Sequence, residues 1–226
     1  YAILILSNLS GAEHPHGRSR LIEWGAGGAL LSAVEVSGGG GEEDALPLKG
    51  LAQLCKSRGP ALQTLVDAGV ARALVLAVAR GGAARHPALR GLVHLSGGDS
   101  AASGSVVEAG ALASLEPLLS AAAAGGWGPG GEERDGGGDG DARLALQVIS
   151  SLTKTSTEAK RDATHHTPRA LVIASLTKTS TEAQRDVSQK MLTSLVRIVE
   201  VAEEGSDHLD LALRALLNLS RGPPPV

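Results

Sequence analysis

The chain is nearly devoid of aromatic residues, with no phenylalanine, one tyrosine and two tryptophans among 226 residues. A core must therefore be built from Leu, Val, Ile and Ala, which bury less area per residue than aromatic rings and suit closely stacked helices. A single cysteine, Cys55, excludes an intramolecular disulfide framework and fits a reducing compartment, the cytoplasm or the nucleus. It follows Leu54 at an expected helix end and reads as a small packing residue. The net charge is −3, so no global basic signature marks a nucleic-acid partner. The apolar run 71–79 is broken by Arg72 and falls far short of the roughly 20 residues a membrane span needs. No secretory signal is visible. The chain starts at Tyr1, without methionine and inside a repeat motif, which reads as a fragment lacking its N-terminal part.

Motifs of catalysis are missing as well. There is no glycine-rich phosphate loop ending in Gly-Lys-Ser/Thr, no Gly-x-Ser-x-Gly and no His-Glu-x-x-His, so no enzyme activity, cofactor or metal is expected. His14, His16, His165 and His166 have no cysteine or acidic cluster beside them and read as loop histidines. Asp135, Asp139 and Asp141 do not follow the EF-hand spacing. Asn8-Leu9-Ser10 and Asn218-Leu219-Ser220 are glycosylation sequons by letter, but both fall inside expected helices.

What the chain does have is a recurring phrase: a small residue, Leu or Ile, then apolar residues three and six positions on. It appears as Ala2-Ile3-Leu6-Leu9, Pro47-Leu48-Leu51-Leu54, Ala88-Leu89-Leu92-Leu95, Ala145-Leu146-Ile149-Leu152 and Ala212-Leu213-Leu216-Leu219. A degenerate copy runs Arg169-Ala170-Ile173-Leu176. The final leucines are separated by 45, 41, 57, 24 and 43 residues. Three of these steps lie in the band of about 40–47 residues that marks helical solenoids. A second phrase keeps time with the first: Leu21-Ile22-Glu23-Trp24-Gly25, Leu65-Val66-Asp67-Ala68-Gly69 and Val106-Val107-Glu108-Ala109-Gly110. Each predicts a short helix stopped by a glycine in the left-handed region. The expected unit is a short helix, a glycine turn, a second helix, a loop and a third helix carrying the leucine seam.

The phrases Val106-Val107-Glu108-Ala109-Gly110-Ala111 with Leu115 and Leu118, and Ala212-Leu213-Arg214-Ala215-Leu216-Leu217-Asn218-Leu219-Ser220, resemble the armadillo repeat family over nearly the whole chain. The resemblance implies an all-α, right-handed superhelical solenoid of about four to five units over residues 1–222, with a proline-rich tail at 223–226. It implies a non-catalytic scaffold binding an extended peptide in the concave groove of the third helices. An armadillo tail of a U-box ubiquitin ligase is an alternative, and a nuclear transport receptor another, disfavoured by the missing tryptophan ladder.

In that family an asparagine before the last leucine clamps the peptide backbone, because an amide both donates and accepts. Matching positions here are Asn8, Gln53, His94, Ser151, Ser175 and Asn218. One helical turn earlier stand Leu4, Lys49, Arg90, Gln147, Leu171 and Arg214, of which three are cationic. An acidic or phosphorylated partner is the corresponding expectation.

Two insertions sit before third helices. Residues 37–44 (SGGGGEED) and 125–141 (GGWGPGGEERDGGGDGD) read as loops, the second flexible and acidic with nine glycines and five acids. Its stretch 132–141 is expected to fold over the groove and compete with a partner. Residues 151–162 recur at 175–186 with one change, Lys160 to Gln184. Each copy carries a candidate capping box, Thr155 with Glu158 and Thr179 with Glu182. The extra 24 residues predict a surplus helix or a bulge around His165–Pro168, or an error in the derived sequence.

Overall fold

The computed structural model describes residues 2–10, 15–37, 42–124, 138–162, 182–202 and 206–220. Among these residues there are α-helices and one short 3₁₀ turn, and no strand. The helices are α1 (Ala2–Ser10), α2 (Pro15–Glu23), α3 (Ala26–Ser37), α4 (Glu42–Leu54), α5 (Pro60–Asp67) and α6 (Val70–Arg80). They continue as α7 (Arg85–Ser96), α8 (Ser100–Glu108), α9 (Ala111–Ala123), α10 (Gly138–Asp162), α11 (Glu182–Val201) and α12 (Asp207–Ser220). The chain divides into two compact units, Tyr1–Gly110 and Ala111–Val226. No single helix among the described residues is long and apolar enough to cross a membrane.

The repeat phrase becomes geometry at its glycines. Gly25, Gly69 and Gly110 have φ of 83°, 82° and 83°. Their amides donate to Ile22, Val66 and Val107 carbonyls, each at 2.9 Å, closing the short helix where the sequence expects it. A side chain at these three positions would be strained in the left-handed region. The entry to α8 is also conventional: Asp99, immediately before the helix, caps it by accepting from the Ala102 amide at 2.9 Å.

In the first unit the third helices α1, α4 and α7 pack side by side, α4 against both of the others. Behind them α3 packs on α4 and α6 on α7. Leu30, Leu48, Leu51, Leu54, Leu74, Leu89, Leu92 and Leu95 are fully buried between these layers. Each such leucine contributes about 1.5–3 kcal/mol, which is how a core without phenylalanine holds together. Close approach of the third helices rests on Gly50 and Gly91, each four residues before its seam leucine. A Cβ on Gly50 would lie 3.0 Å from Leu30 Cδ1 and 3.3 Å from the Ser7 Cα. A Cβ on Gly91 would lie 2.8 Å from Leu74 Cδ1 and 3.5 Å from the Ala52 Cα. The buried Ser7 hydroxyl donates across the same crossing to the Leu46 carbonyl at 3.2 Å.

In the second unit α9 packs on α10 and α11, and α12 packs on α10 and α11. Leu115, Leu119, Leu146, Ile149, Leu152, Met191, Leu195 and Ile198 are buried there. Arg197 Nε donates to the Ala123 carbonyl at 3.1 Å, and the Ser120 and Ser194 hydroxyls meet at 3.2 Å, fastening α11 to α9. Arg143 and Asp207 pair at the surface between α10 and α12.

Four expectations need correction or completion. The seam leucines Leu54, Leu95 and Leu152 are buried, but Leu9 is 49% exposed; the residue of α1 that meets α4 is Ser7, which bonds to the Leu46 carbonyl and lies against Gly50. Leu176 lies outside the described residues, as does the side chain of Leu219. The acidic ends of both insertions are helical: Glu42, Glu43 and Asp44 open α4, and Gly138–Asp141 opens α10 with Asp141 buried. Acidic residues are favoured in a first helical turn, so a run of acids in the sequence does not by itself mark a loop. The remainder of the insertions, 38–41 and 125–137, lies outside the described residues. Finally, 155–158 sits inside α10 and does not start a helix; the third helix runs on through the first copy of the duplicated segment to Asp162. No glycine or proline lies between Leu152 and Asp162 to stop it, and the Thr153 hydroxyl bonds back to Ile149 and Ser150 carbonyls at 2.9 Å each. Residues 163–181, including His165–Pro168 and Thr179, lie outside the described residues.

Candidate groove and an electropositive pocket

The surface formed by α1, α4 and α7 gathers five of the residues singled out by sequence. Asn8, Lys49 and Arg90 are exposed, and Gln53 and His94 are half-buried. Lys49 and Gln53 lie one turn apart on α4, and Arg90 and His94 repeat the arrangement on α7. Packed helices lie about 8–10 Å apart, which matches two to three residues of an extended chain at about 3.3 Å each. Neighbouring third helices are therefore spaced to meet every second or third residue of a strand-like peptide. Lys49 and Arg90 make no ion pair among the described residues.

In the second unit Arg214 is exposed on α12, and Ser151 is half-buried on α10, against which α12 packs. Asn218 lies on α12, but its side chain is outside the described part, and Leu171 and Ser175 lie outside the described residues. Gln147 is half-buried and Leu4 exposed.

His94 is the residue whose surroundings differ most from water. Its imidazole is pushed down from 6.5 to about 4, first by burial and then by the positive charges of Lys56, Arg90, Arg18 and Arg58. These cations come from three places: α2, the segment following α4, and α7. Lys56, Arg58 and Arg90 make no ion pair among the described residues. Beside His94 lies a pocket of about 160 Å³ walled by Cys55, Lys56, Ser57, Arg58, His94 and Gly98. Ser57 is 7% exposed, and its buried hydroxyl has no hydrogen-bond partner. Cys55 is fully buried and its thiol is pushed up from 9.0 to about 12 by desolvation, so it is an inert wall and not a nucleophile.

The sequence pointed to His94 but not to this pocket. Lys56-Ser57-Arg58 follows α4 as an ordinary polar turn before Gly59 and Pro60, and nothing local says that a distant histidine faces it. A Lys-x-Arg pair at a third-helix end was the available signal. No three His, Cys, Asp or Glu side chains cluster among the described residues. Of the loop histidines, His14, His165 and His166 lie outside the described residues, as does the His16 side chain. Of the proposed aspartate group, Asp135 lies outside and Asp141 is buried in α10.

No protein-family model matches the chain, and no curated protein matches it. Solved structures do. An engineered protein solved by crystallography matches with a TM-score of 0.60 at 18% identity, covering 98% of this chain and 90% of its own. A designed armadillo repeat protein matches at 0.56 and 18% identity, over 96% of this chain and 92% of its own. Another designed armadillo repeat protein, in complex with the peptide (KR)4, matches at 0.57 and 17% identity, over 96% and 91%. The chain thus has an armadillo-like, all-α repeat fold along nearly its full length.

Proposed function

We propose that this chain is a non-catalytic protein-interaction scaffold that holds an extended acidic peptide along its third helices. The observation that carries the reading is the pairing of Lys49 with Gln53 and Arg90 with His94 on packed helices, the two cations being exposed and without ion-pair partners among the described residues. The amide and imidazole supply sequence-independent bonds to a peptide backbone, and the cations select the sign of its side chains. A similarly folded designed armadillo protein is seen with a Lys-Arg peptide. Lys49 and Arg90 would repel such a peptide and favour one rich in Asp, Glu or phosphorylated residues. Within the second unit Ser151, Arg214 and Asn218 occupy the matching third-helix positions. A reducing compartment, the cytoplasm or the nucleus, goes with a chain whose one cysteine has no partner cysteine.

Fluorescence polarisation with a labelled poly-acidic peptide and a Lys-Arg peptide tests this. The acidic peptide should bind more tightly at low salt, and the double change Lys49→Glu with Arg90→Glu should weaken it at least about tenfold. Unchanged affinity for the acidic peptide in that variant would end the proposal.

A further inference from the structure

The pocket beside His94 contains more positive charge than a groove needs for carboxylates. We propose that the pocket walled by Lys56, Ser57, Arg58 and His94 binds a phosphoryl group, carried on a phosphorylated serine or threonine of the peptide held in the groove. This assignment rests on the groove reading above for its source of phosphate, but its residues are separate from Lys49 and Arg90.

Three observations converge. First, Lys56 and Arg58 both line one small site and have no ion-pair partner among the described residues, while Arg90 on α7 adds to the positive field at His94. Clustered like charges are costly unless a counter-charge joins them, and a phosphate monoester brings about −1.5 to −2 at neutral pH. A carboxylate brings only one charge and a planar set of acceptors. Second, the Ser57 hydroxyl is buried on the pocket wall and bonds to nothing. A buried donor without a partner is an unmet requirement, which a phosphate oxygen accepting from Ser57 satisfies. Third, the size fits. About 160 Å³ holds roughly five waters' worth of liquid, room for a tetrahedral oxyanion but well below the roughly 300–1,000 Å³ of pockets for larger organic ligands.

The groups facing the imidazole are Arg18 from α2, Lys56 and Arg58 after α4, and Arg90 on α7, with the protonated Cys55 thiol in the pocket wall. All four charges are positive and all hold His94 neutral. An entering dianion reverses that field, so His94 takes up a proton and becomes a further donor to the phosphate.

The test uses the full chain, an acidic peptide with one phosphoserine, the same peptide with serine, and inorganic phosphate. The phosphopeptide should bind about tenfold more tightly than its serine form. Lys56→Gln with Arg58→Gln should erase that increment and leave the serine peptide within about threefold. Ser57→Ala, a small change that spares the cations, should remove part of the increment. Inorganic phosphate followed by NMR should move the His94 titration upward in the parent chain and not in the double variant. An increment that survives the double variant, or a His94 signal indifferent to phosphate, overturns the pocket. If both peptides bind equally and phosphate does nothing, the groove stands and the pocket falls. If neither peptide binds while phosphate still moves His94 in the parent chain only, the pocket's peptide source is overturned and the groove reading falls with it.

Discussion

His94 and Cys55 each leave a signature of their surroundings in solution. The folded His94 has a pKa near 4, against 6.5 when unfolded, so folding favours the neutral ring. The stability this confers is complete above about pH 6.5 and is lost as pH falls toward 4, because only the unfolded chain takes up the proton in that window. His94→Gln should therefore flatten the pH dependence of the urea midpoint between pH 7 and 4. The half-exposed ring discounts the effect to on the order of 1 kcal/mol. A parent and variant that lose stability in parallel over that range would show that neither burial nor the cations shift this ring. At Cys55 the sign is opposite in pH: the thiol stays protonated to about 12 in the fold, so its contribution fades as pH rises above 9.0. A thiol reagent at pH 8 should label it only after denaturant is added, and prompt labelling of the native chain would count against its burial. The sequence assigned both residues sensible places, Cys55 as packing and His94 to the groove. It could not supply Arg18, Lys56 and Arg58 around the imidazole, because that proximity arises from tertiary packing and not from spacing along one helix.

Among the elements, the three-helix unit and its glycine turns were legible because left-handed glycines and a periodic leucine seam leave direct traces in the letters. The helix starts were misjudged where glycine-rich insertions ran into acids. Glu42–Asp44 and Asp139–Asp141 look like loop residues by composition, yet acidic residues are also common in the first turn of a helix, and both runs lie at helix starts. The reach of α10 was missed for a related reason: Thr155 and Glu158 have the letters of a capping box, but with no stop signal after Leu152 the helix passes through them. The glycines at helix crossings went unread, since their role exists only once α4 and α7 meet. That role predicts a size-dependent penalty. Gly91→Ala gains about 1 kcal/mol of helix propensity against a contact that Leu74 can relieve, so it should be close to neutral. Gly91→Val adds methyls against Leu74 and the Ala52 backbone and should cost about 1–3 kcal/mol by thermal or urea unfolding. A neutral valine would mean that α4 and α7 separate freely.

Across the whole molecule, the match to designed armadillo repeat structures spans 96% of the chain at under 20% identity. Such a fold is stabilised by neighbour contacts and not by one global core, so damage should stay local. Leu92→Ala, at a fully buried site in α7, should cost about 2–5 kcal/mol. Hydrogen exchange should show the loss in α4, α6 and α7, with α10, α11 and α12 changed much less. Equal deprotection of every helix would instead indicate one cooperative block. The cation cluster by Ser57 has a practical corollary at this scale. Charges that repel one another while empty make the fold itself responsive to dissolved anions. A melting curve recorded in phosphate buffer and one recorded in an amine buffer would then describe two different thermodynamic species, and the choice of buffer would become a hidden variable in every stability measured on this protein.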